Sequence, residues 1–290
     1  MPISYPDILE ERSDPQSFTY SQEDLILYAL SIGVGSDPLN PSELPFVYEH
    51  ALRGIPTAAT VLHKSVGQPV LKGRTAAHRS SSLNNEMIVH AEQKTEFHRP
   101  LPISGTFIAT TKTIAAIDKG ERTGAIIVNE TVWTDAAAQK VVTLTSSILA
   151  RADGGFGGPR DSLPSHTVPT RAPDKLVELP TRPDQALLYR LNGDLTPLHA
   201  DPAVARRAGF DRPILHGLCT YGITCRAVLQ EIVAYDESRI LSHEVRFSAP
   251  VLPGDTLIVK LWQDANIVSF EAYAKERNAV VVKNGKAVLR

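Results

Sequence analysis

The sequence predicts an α+β fold made of two similar halves, in each of which an antiparallel sheet wraps around one buried helix. The first observation is a short ungapped repeat, in which TEFHRPLPISGT at residues 95–106 aligns with VRFSAPVLPGDT at residues 245–256. The second is an apolar, helix-like segment ahead of the repeat in each half, and the third is a set of alternating strand patterns after it. A helix wrapped by a sheet, twice over, is a double hot-dog fold.

The predicted elements follow in chain order. Residues 55–70 and 214–233 are the two helix-like segments, and in the second the apolar positions recur at helical spacing. Period-two alternation predicts further strands, at residues 106–117, 125–133, 141–150 and 256–262.

Two fused units suit a chain of 290 residues. We expect an N-terminal hot-dog repeat over residues 1–151, a linker over 152–183 and a C-terminal repeat over 184–290. The linker carries the run GGFGG and six prolines, a composition typical of loops. Its glycines lack the G-x-G-x-x-G spacing and the strand-turn-helix context of a dinucleotide site. A flexible joint is one interpretation that the glycine run leaves open.

Composition excludes several classes of partner. With 30 basic and 32 acidic residues there is no charge excess that suggests nucleic acid, and no apolar run approaches the ~18 residues of a membrane span. Cys219 and Cys225 lie on different sides of one predicted helix, so we expect two small core residues. The polar amino terminus and the final Ala-Val-Leu-Arg predict an intracellular protein in the cytoplasm, with the peroxisome as the alternative.

Residues 189–220 hold the densest group of chemically capable side chains. Thr196 and Pro197 form a predicted N-cap and first-turn pair, which places Asp194 ahead of a short helix and His199 within it. A carboxyl and an imidazole that face one space can hold one water and serve as a general acid–base pair. The alternative from spacing alone is that Asp194 caps a turn and His199 is a core histidine.

This stretch resembles the signature of the MaoC-like, (R)-specific 2-enoyl-CoA hydratases, and the chain is similar to the eukaryotic-type, two-repeat form of that family. The resemblance continues through Glu92-Gln93, Asp118-Lys119-Gly120 and the run GGFGG. The matching positions of the signature are Gly193, Asp194, Pro197, Leu198, His199, Asp201, Pro213, Ile214, Leu215, His216 and Gly217.

The resemblance implies a set of site residues. Asp194, His199 and the N–H of Gly217 are the catalytic groups, and His216 supports the turn. The implied substrate contacts are His90, Ala91, Lys119, Leu195, Thr196, Pro197, Leu198 and Phe247. Taken alone, Lys119 and His90 are equally well surface residues, and Phe247 a core residue. Thr196 replaces the usual Asn of the motif, and Ala91 the usual Gly.

The implied reaction adds water across a trans-2-enoyl-CoA to give the (3R)-3-hydroxyacyl-CoA, or reverses that step. His199 takes the water proton, Asp194 delivers a proton to C2, and Gly217 stabilises the thioester oxyanion. CoA belongs to the substrate, so no cofactor and no metal is expected. Only the second half carries the dyad, and the first accommodates the acyl-CoA. A homodimer is expected.

Three other functions stay open. A dehydratase for a specialised polyketide or steroid CoA thioester would use the same dyad. A non-catalytic acyl-CoA-binding protein would follow if Thr196 prevented water positioning. A thioesterase would need a carboxylate on the central helix, and residues 214–230 have none.

Overall fold

The computed structural model describes residues 3–63, 83, 87–161 and 164–290. The helices, apart from short 3₁₀ turns, are α1 (Gln22–Ser31), α2 (Leu44–Val47), α3 (Ala59–Leu62), α4 (Gln185–Tyr189), α5 (Pro202–Arg207) and α6 (Gly217–Glu231). The strands are β1 (Gln16–Tyr20), β2 (Ile88–Phe97), β3 (Gly105–Asp118), β4 (Ala125–Thr134), β5 (Lys140–Ala150), β6 (Lys175–Pro180), β7 (Ile240–Phe247), β8 (Thr256–Asp264), β9 (Ile267–Ala274) and β10 (Ala279–Leu289). Within the described ranges, no helix is both long and apolar enough to cross a membrane.

All of these strands join one antiparallel sheet in the order β1-β3-β4-β5-β2-β7-β10-β9-β8-β6. Each half contributes five strands in the same relative order, and the halves meet where β2 pairs with β7. In that pair Lys94 lies opposite Glu244, and the flanking partners are Glu92 with Arg246 and Glu96 with Ser242. Lys94 and Glu244 are 150 residues apart, which is the offset of the sequence repeat. The pseudo-two-fold axis therefore passes through this residue pair.

The predicted fold class is confirmed, and the bounds of two predicted segments differ in the structure. The predicted helix over residues 55–70 begins as a 3₁₀ turn at Pro56–Ala58 and continues as α3, and its part beyond residue 63 lies outside the described residues. The tract assigned to the linker contains β6, which pairs with β8 from Lys175 opposite Leu261 to Pro180 opposite Thr256. The second half of the sheet therefore begins before residue 184.

Helix α6 packs against strands of both halves, β2, β6, β7 and β8, and is buried from Cys219 to Leu229. Both cysteines are free and buried in it, as the sequence predicts. The Tyr221 hydroxyl lies 2.7 Å from the carbonyl oxygen of His243 on β7 and 2.8 Å from Thr95 Oγ1 on β2. A carbonyl can only accept, so Tyr221 donates to His243 and accepts from Thr95. One side chain of α6 thus ties the helix to both halves.

Helix α1 of the first half packs directly on α6 of the second. A Cβ added to Gly222 would lie 2.6 Å from Tyr28 Oη and 2.7 Å from Ile32 Cγ2, distances at which real atoms overlap. Tyr28 itself donates to Thr57 Oγ1 at 3.0 Å, so its hydroxyl has little freedom to move away. The absence of a side chain at Gly222 therefore allows the end of α1 to pack closely on α6.

The glycine run after β5 is a fixed structure, which corrects the interpretation as a flexible joint. The Asp118 carboxylate at the end of β3 accepts N–H bonds from Gly120, Gly155 and Gly157, each at 2.8 Å. A Cβ on Gly154 would lie 2.2 Å from the carbonyl oxygen of Gly120, so the two backbones approach as closely as only glycine allows. These backbone hydrogen bonds hold the pKa of the Asp118 carboxyl below its usual value, against a smaller effect of desolvation.

Gly222→Ala should lower the free energy of unfolding by about 1–3 kcal/mol, because the added methyl overpacks the α1–α6 contact. Helix propensity alone predicts the opposite, a gain of about 1 kcal/mol. Urea denaturation followed by circular dichroism measures the difference. In the Tyr28→Phe background, which removes the nearest atom, the same change should cost less. An unchanged or higher stability of Gly222→Ala would show that the contact is not tight.

Candidate active site

Asp194 lies in a short loop that follows α4 and a 3₁₀ turn at Arg190–Asn192. Gly193 turns the chain there with a φ of +115°, a left-handed conformation that favours glycine. The Asp194 carboxylate then accepts the Thr196 hydroxyl at 2.6 Å and the Thr196 N–H at 3.1 Å. Thr196 occupies the N-cap position of the 3₁₀ turn Pro197–His199 as predicted, but its side chain makes no capping bond. Its hydroxyl holds the carboxylate instead.

His199 is the last residue of that 3₁₀ turn. Its Nδ1 lies 2.8 Å from the carbonyl oxygen of Ile214 and must donate to it, since a carbonyl only accepts. The neutral ring therefore presents a lone pair at Nε2. Burial lowers the pKa of His199 below its usual value of 6.5, and the hydrogen bond and the Asp194 charge only partly oppose this effect. The imidazole is a neutral base near pH 7.

His216 lies against His199, although the sequence predicts for it only a structural role at the turn. Its ring stacks on His199, with centroids 3.7 Å apart and an interplanar angle of 25°. His216 Nε2 lies 3.2 Å from the backbone carbonyl of Asp194 and donates to it, while Nδ1 is buried without a hydrogen-bond partner among the described residues. Burial lowers the pKa of His216 to about 4, so this ring is also neutral. In the sequence, the His216-Gly217 pair at the start of the predicted helix was the one feature that could have indicated this position of His216.

Asp194, His199 and His216 bring one carboxylate oxygen and two ring nitrogens within 4.8 Å of one another. The stacking argues against a metal ion here. A nitrogen lone pair lies in the plane of its ring, so a metal ion bound by both rings must lie near both ring planes. The planes of rings whose centroids are 3.7 Å apart and which are inclined by only 25° meet much farther from the nitrogens than a Zn–N bond length of about 2.0–2.1 Å. A water molecule needs no such convergence, and acceptors at this spacing suit one water.

The carboxylate of Asp194 is ionised in this setting. Desolvation raises the pKa of Asp194, but the Thr196 hydrogen bonds and the neighbouring His216 and His199 together outweigh it and leave the pKa below 3.8. Asp194 and the Nε2 lone pair of His199 therefore both accept hydrogen bonds. A water molecule between them would donate one hydrogen bond to the Asp194 carboxylate and one to His199 Nε2.

The other residues predicted to lie near Asp194 and His199 come from both halves of the chain. Gly217 is the first residue of α6, and its N–H has no acceptor among the described residues. A Cβ built on Gly217 would lie 3.6 Å from the ring of Phe247, an ordinary contact distance. That ring in turn meets His90 of β2 edge to face at 5.1 Å. Burial lowers the pKa of His90 to about 4, and Asp194 lies close enough to influence it.

The other predicted substrate contacts lie at different distances from the Asp194-His199 pair. Ala91 lies at a register break between His90 and Glu92, where β2 bulges. Leu195 and Pro197 are exposed beside the Asp194 carboxylate, and Leu198 is partly buried. Lys119 lies three strands away from His90 along the same end of the sheet, where its Nζ donates to the Arg160 carbonyl at 3.3 Å. Lys119 is therefore remote from the dyad.

Comparisons with known proteins agree across both halves. Residues 18–152 match the MFE-2 hydratase 2 N-terminal domain, and residues 165–284 match the MaoC like domain. The chain is 38% identical over 288 residues to enoyl-CoA hydratase ChsH3 of Mycobacterium tuberculosis, covering 98% of each. It is 37% identical to the mouse peroxisomal multifunctional enzyme type 2, of which it spans 36%. The crystal structure of a MaoC-like dehydratase from Phytophthora capsici superposes with a TM-score of 0.87 at 35% identity, covering 99% of each chain.

Thr196→Val should raise the pKa of the Asp194 carboxyl, because it deletes the hydroxyl that donates to the carboxylate at 2.6 Å. A ¹³C NMR titration of the side-chain carboxyls measures this. Thr196→Ser keeps the donor and is the matched control, with a pKa expected to equal that of the wild type. Because residue 196 is exposed, neither change should alter folding. Equal pKa values in the Val and Ser variants would contradict the assigned hydrogen bond.

Proposed function

This chain belongs to the family of MaoC-like hydratase 2 enzymes, and we propose that its Asp194 and His199 add water to trans-2-enoyl-CoA thioesters to give (3R)-3-hydroxyacyl-CoA. The observation that carries this proposal is the pairing of an ionised carboxylate with the unprotonated Nε2 of a neutral imidazole. Relatives with the names enoyl-CoA hydratase and 3-hydroxyacyl-thioester dehydratase support the reaction class.

The protonation states refine the roles expected from sequence. The water donates one hydrogen bond to Asp194 and one to His199 Nε2, which leaves an oxygen lone pair free to attack C3. As the C–O bond forms, His199 accepts the proton that leaves the water, since it is the stronger base of the two. Asp194 starts without a proton, so it can deliver one to C2 only after that proton has passed to it within the dyad. The proton on C2 then originates from the attacking water, and the dyad ends as it began.

Negative charge that builds on the thioester oxygen needs a donor. The Gly217 N–H at the start of α6 is a candidate, because no described residue accepts from it and it lies at the positive end of a long helix. The ring of Phe247 faces the Cα of this glycine and would confine the thioester beside it. The Gly217 N–H and the Phe247 ring, which would both contact the thioester carbonyl, thus belong to the second half.

The first half would hold the remainder of the substrate. The ring of His90 on β2 contacts Phe247, and Lys119 at the same end of the sheet is suited to a CoA phosphate. We therefore assign accommodation of acyl-CoA to the first repeat and catalysis to the second. Residues of the site accept and donate protons without a further group, so the proposal requires no cofactor. The homodimer that the family resemblance implies stays a prediction.

Among the alternatives, a dehydratase for a bulkier CoA thioester fits the same geometry and would differ only in the acyl group. A thioesterase has less support, since the one carboxylate of α6, Glu231, lies at the end of the helix opposite Gly217, where it faces Lys175. Release of free CoA would identify it.

Asp194→Asn and His199→Ala should each lower the hydration rate of crotonyl-CoA by at least ~10²-fold. The amide that Asp194→Asn introduces cannot take up and deliver a proton, and His199→Ala removes the imidazole that accepts the water proton. Loss of the enoyl absorbance measures the rate, and chiral analysis of the product should give the 3R isomer. Asp201→Asn is the matched control, since Asn can replace this N-cap of α5. A folded dyad variant with near-normal turnover would exclude the assignment.

The pH dependence of kcat/KM should show a single acidic limb. The active forms are the carboxylate and the neutral imidazole, so activity falls only as the pH drops through the His199 pKa, which burial holds below 6.5. From about pH 7 to 9 the profile should be flat. A rate that instead declined as the pH rose through neutrality would mean that a protonated dyad is the reactive form.

A further inference from the structure

Ser31, the last residue of α1 in the first half, has buried hydrogen bonds to two segments of the second half. Its side chain is 0% exposed. The hydroxyl donates to the Tyr28 carbonyl at 2.7 Å and accepts from Asn192 Nδ2 at 2.9 Å. Its backbone carbonyl accepts from Gln185 Nε2 at 2.5 Å and from Cys219 Sγ at 3.6 Å.

These partners belong to the two elements that form the active site. Asn192 stands immediately before the Gly193-Asp194 turn, and Gln185 begins α4 at the start of the same segment. Cys219 lies two residues beyond Gly217 in the first turn of α6, and its N–H bonds to the His216 carbonyl at 3.1 Å. Ser31 therefore contacts both the segment that carries the carboxylate and the helix end that carries the candidate oxyanion donor.

Loss of the hydrogen bonds of Ser31 would leave buried polar groups without partners. The last carbonyls of a helix have no partner within it, and here side chains of another part of the chain supply one. Asn192 is 4% exposed and Gln185 is 1% exposed, so water cannot replace a lost partner easily. The tight packing of Tyr28 and Ile32 against Gly222 fixes α1 on α6, so Ser31 is a rigid anchor point.

Other links join the same two elements, but they consist of site histidines. His199 bonds to Ile214, and His216 bonds to the Asp194 carbonyl. Through Ser31, the first half adds a link between these elements that involves no imidazole. We propose that Ser31 is a positioning residue, which sets the distance between the Asp194 carboxylate and the start of α6 through Asn192 and Cys219. This inference rests on the proposed hydratase function.

The test is Ser31→Ala in the full chain, which deletes the acceptor of Asn192 and keeps the backbone carbonyl. We expect kcat for crotonyl-CoA hydration to fall ~10-fold or more while KM changes less than about twofold, since small displacements of reacting groups are costly to the chemical step. Asn192→Ala breaks the same bond from the other side, and the double variant should be no slower than the slower single variant. Asn192→Ala also keeps the test open if Ser31→Ala fails to fold.

Ser269→Ala is the matched control. It deletes another buried serine hydroxyl, which lies 2.8 Å from His166 Nε2 on the far side of the second half of the sheet. We expect it to lower the melting temperature to a similar extent while kcat stays within about twofold. Equal losses of kcat in the Ser31 and Ser269 variants, or an unchanged kcat in folded Ser31→Ala, would overturn the proposal.

Amide hydrogen exchange provides a readout that does not depend on turnover. In Ser31→Ala, exchange should accelerate at residues 190–199 and in the first turn of α6, and the Ser269→Ala protein should match the wild type there. Faster exchange in Ser31→Ala, together with a wild type that hydrates no enoyl-CoA, would reject the hydratase function and keep the positioning contact. Unchanged exchange would reject the contact, whatever the activity.

Discussion

The buried Tyr221 hydroxyl at the seam of the sheet is the interaction on which the site geometry depends. It must be hydrogen-bonded, because an unpaired hydroxyl in this interior would cost free energy, and its partners stand on β2 and β7. Those strands come from different halves and pair with each other around Lys94 and Glu244. Through Tyr221, the register of the seam fixes where α6 lies, and the start of α6 is where Gly217 and His216 lie.

This dependence explains why a half without the dyad is needed for a site in the other half. The first half supplies β2, which carries His90 and Thr95, and α1, which carries Ser31 and packs on Gly222. None of these side chains requires a second Asp-His pair. A fused repeat can therefore lack the Asp-His pair and still help to hold the pair of the other repeat in place.

Sequence patterns were sufficient for elements with strong periodicity, and for residues that a gapped motif names. The strands β3, β4, β5 and β8 and the helix α6 lie within a few residues of their predicted bounds. The strand β6 was not recognised, because proline-rich flanks hide an edge strand of six residues. Ser31 and the orientation of the Thr196 hydroxyl were beyond reach for a different reason. Each role arises from a partner or a rotamer that only the three-dimensional arrangement reveals.

Burial keeps the histidines of the site neutral, and the Thr196 hydroxyl helps to keep the Asp194 carboxylate ionised. Burial lowers the pKa of His90, His199 and His216, so three imidazoles near one carboxylate carry no positive charge. Cations there would hold Asp194 in ion pairs and occupy the acceptors that a water needs. The Thr196 hydroxyl stabilises the carboxylate without adding charge, and it leaves the second oxygen available. A neutral donor is therefore better suited to this position than a lysine or arginine, and the backbone N–H of Gly217 meets the same requirement at the oxyanion.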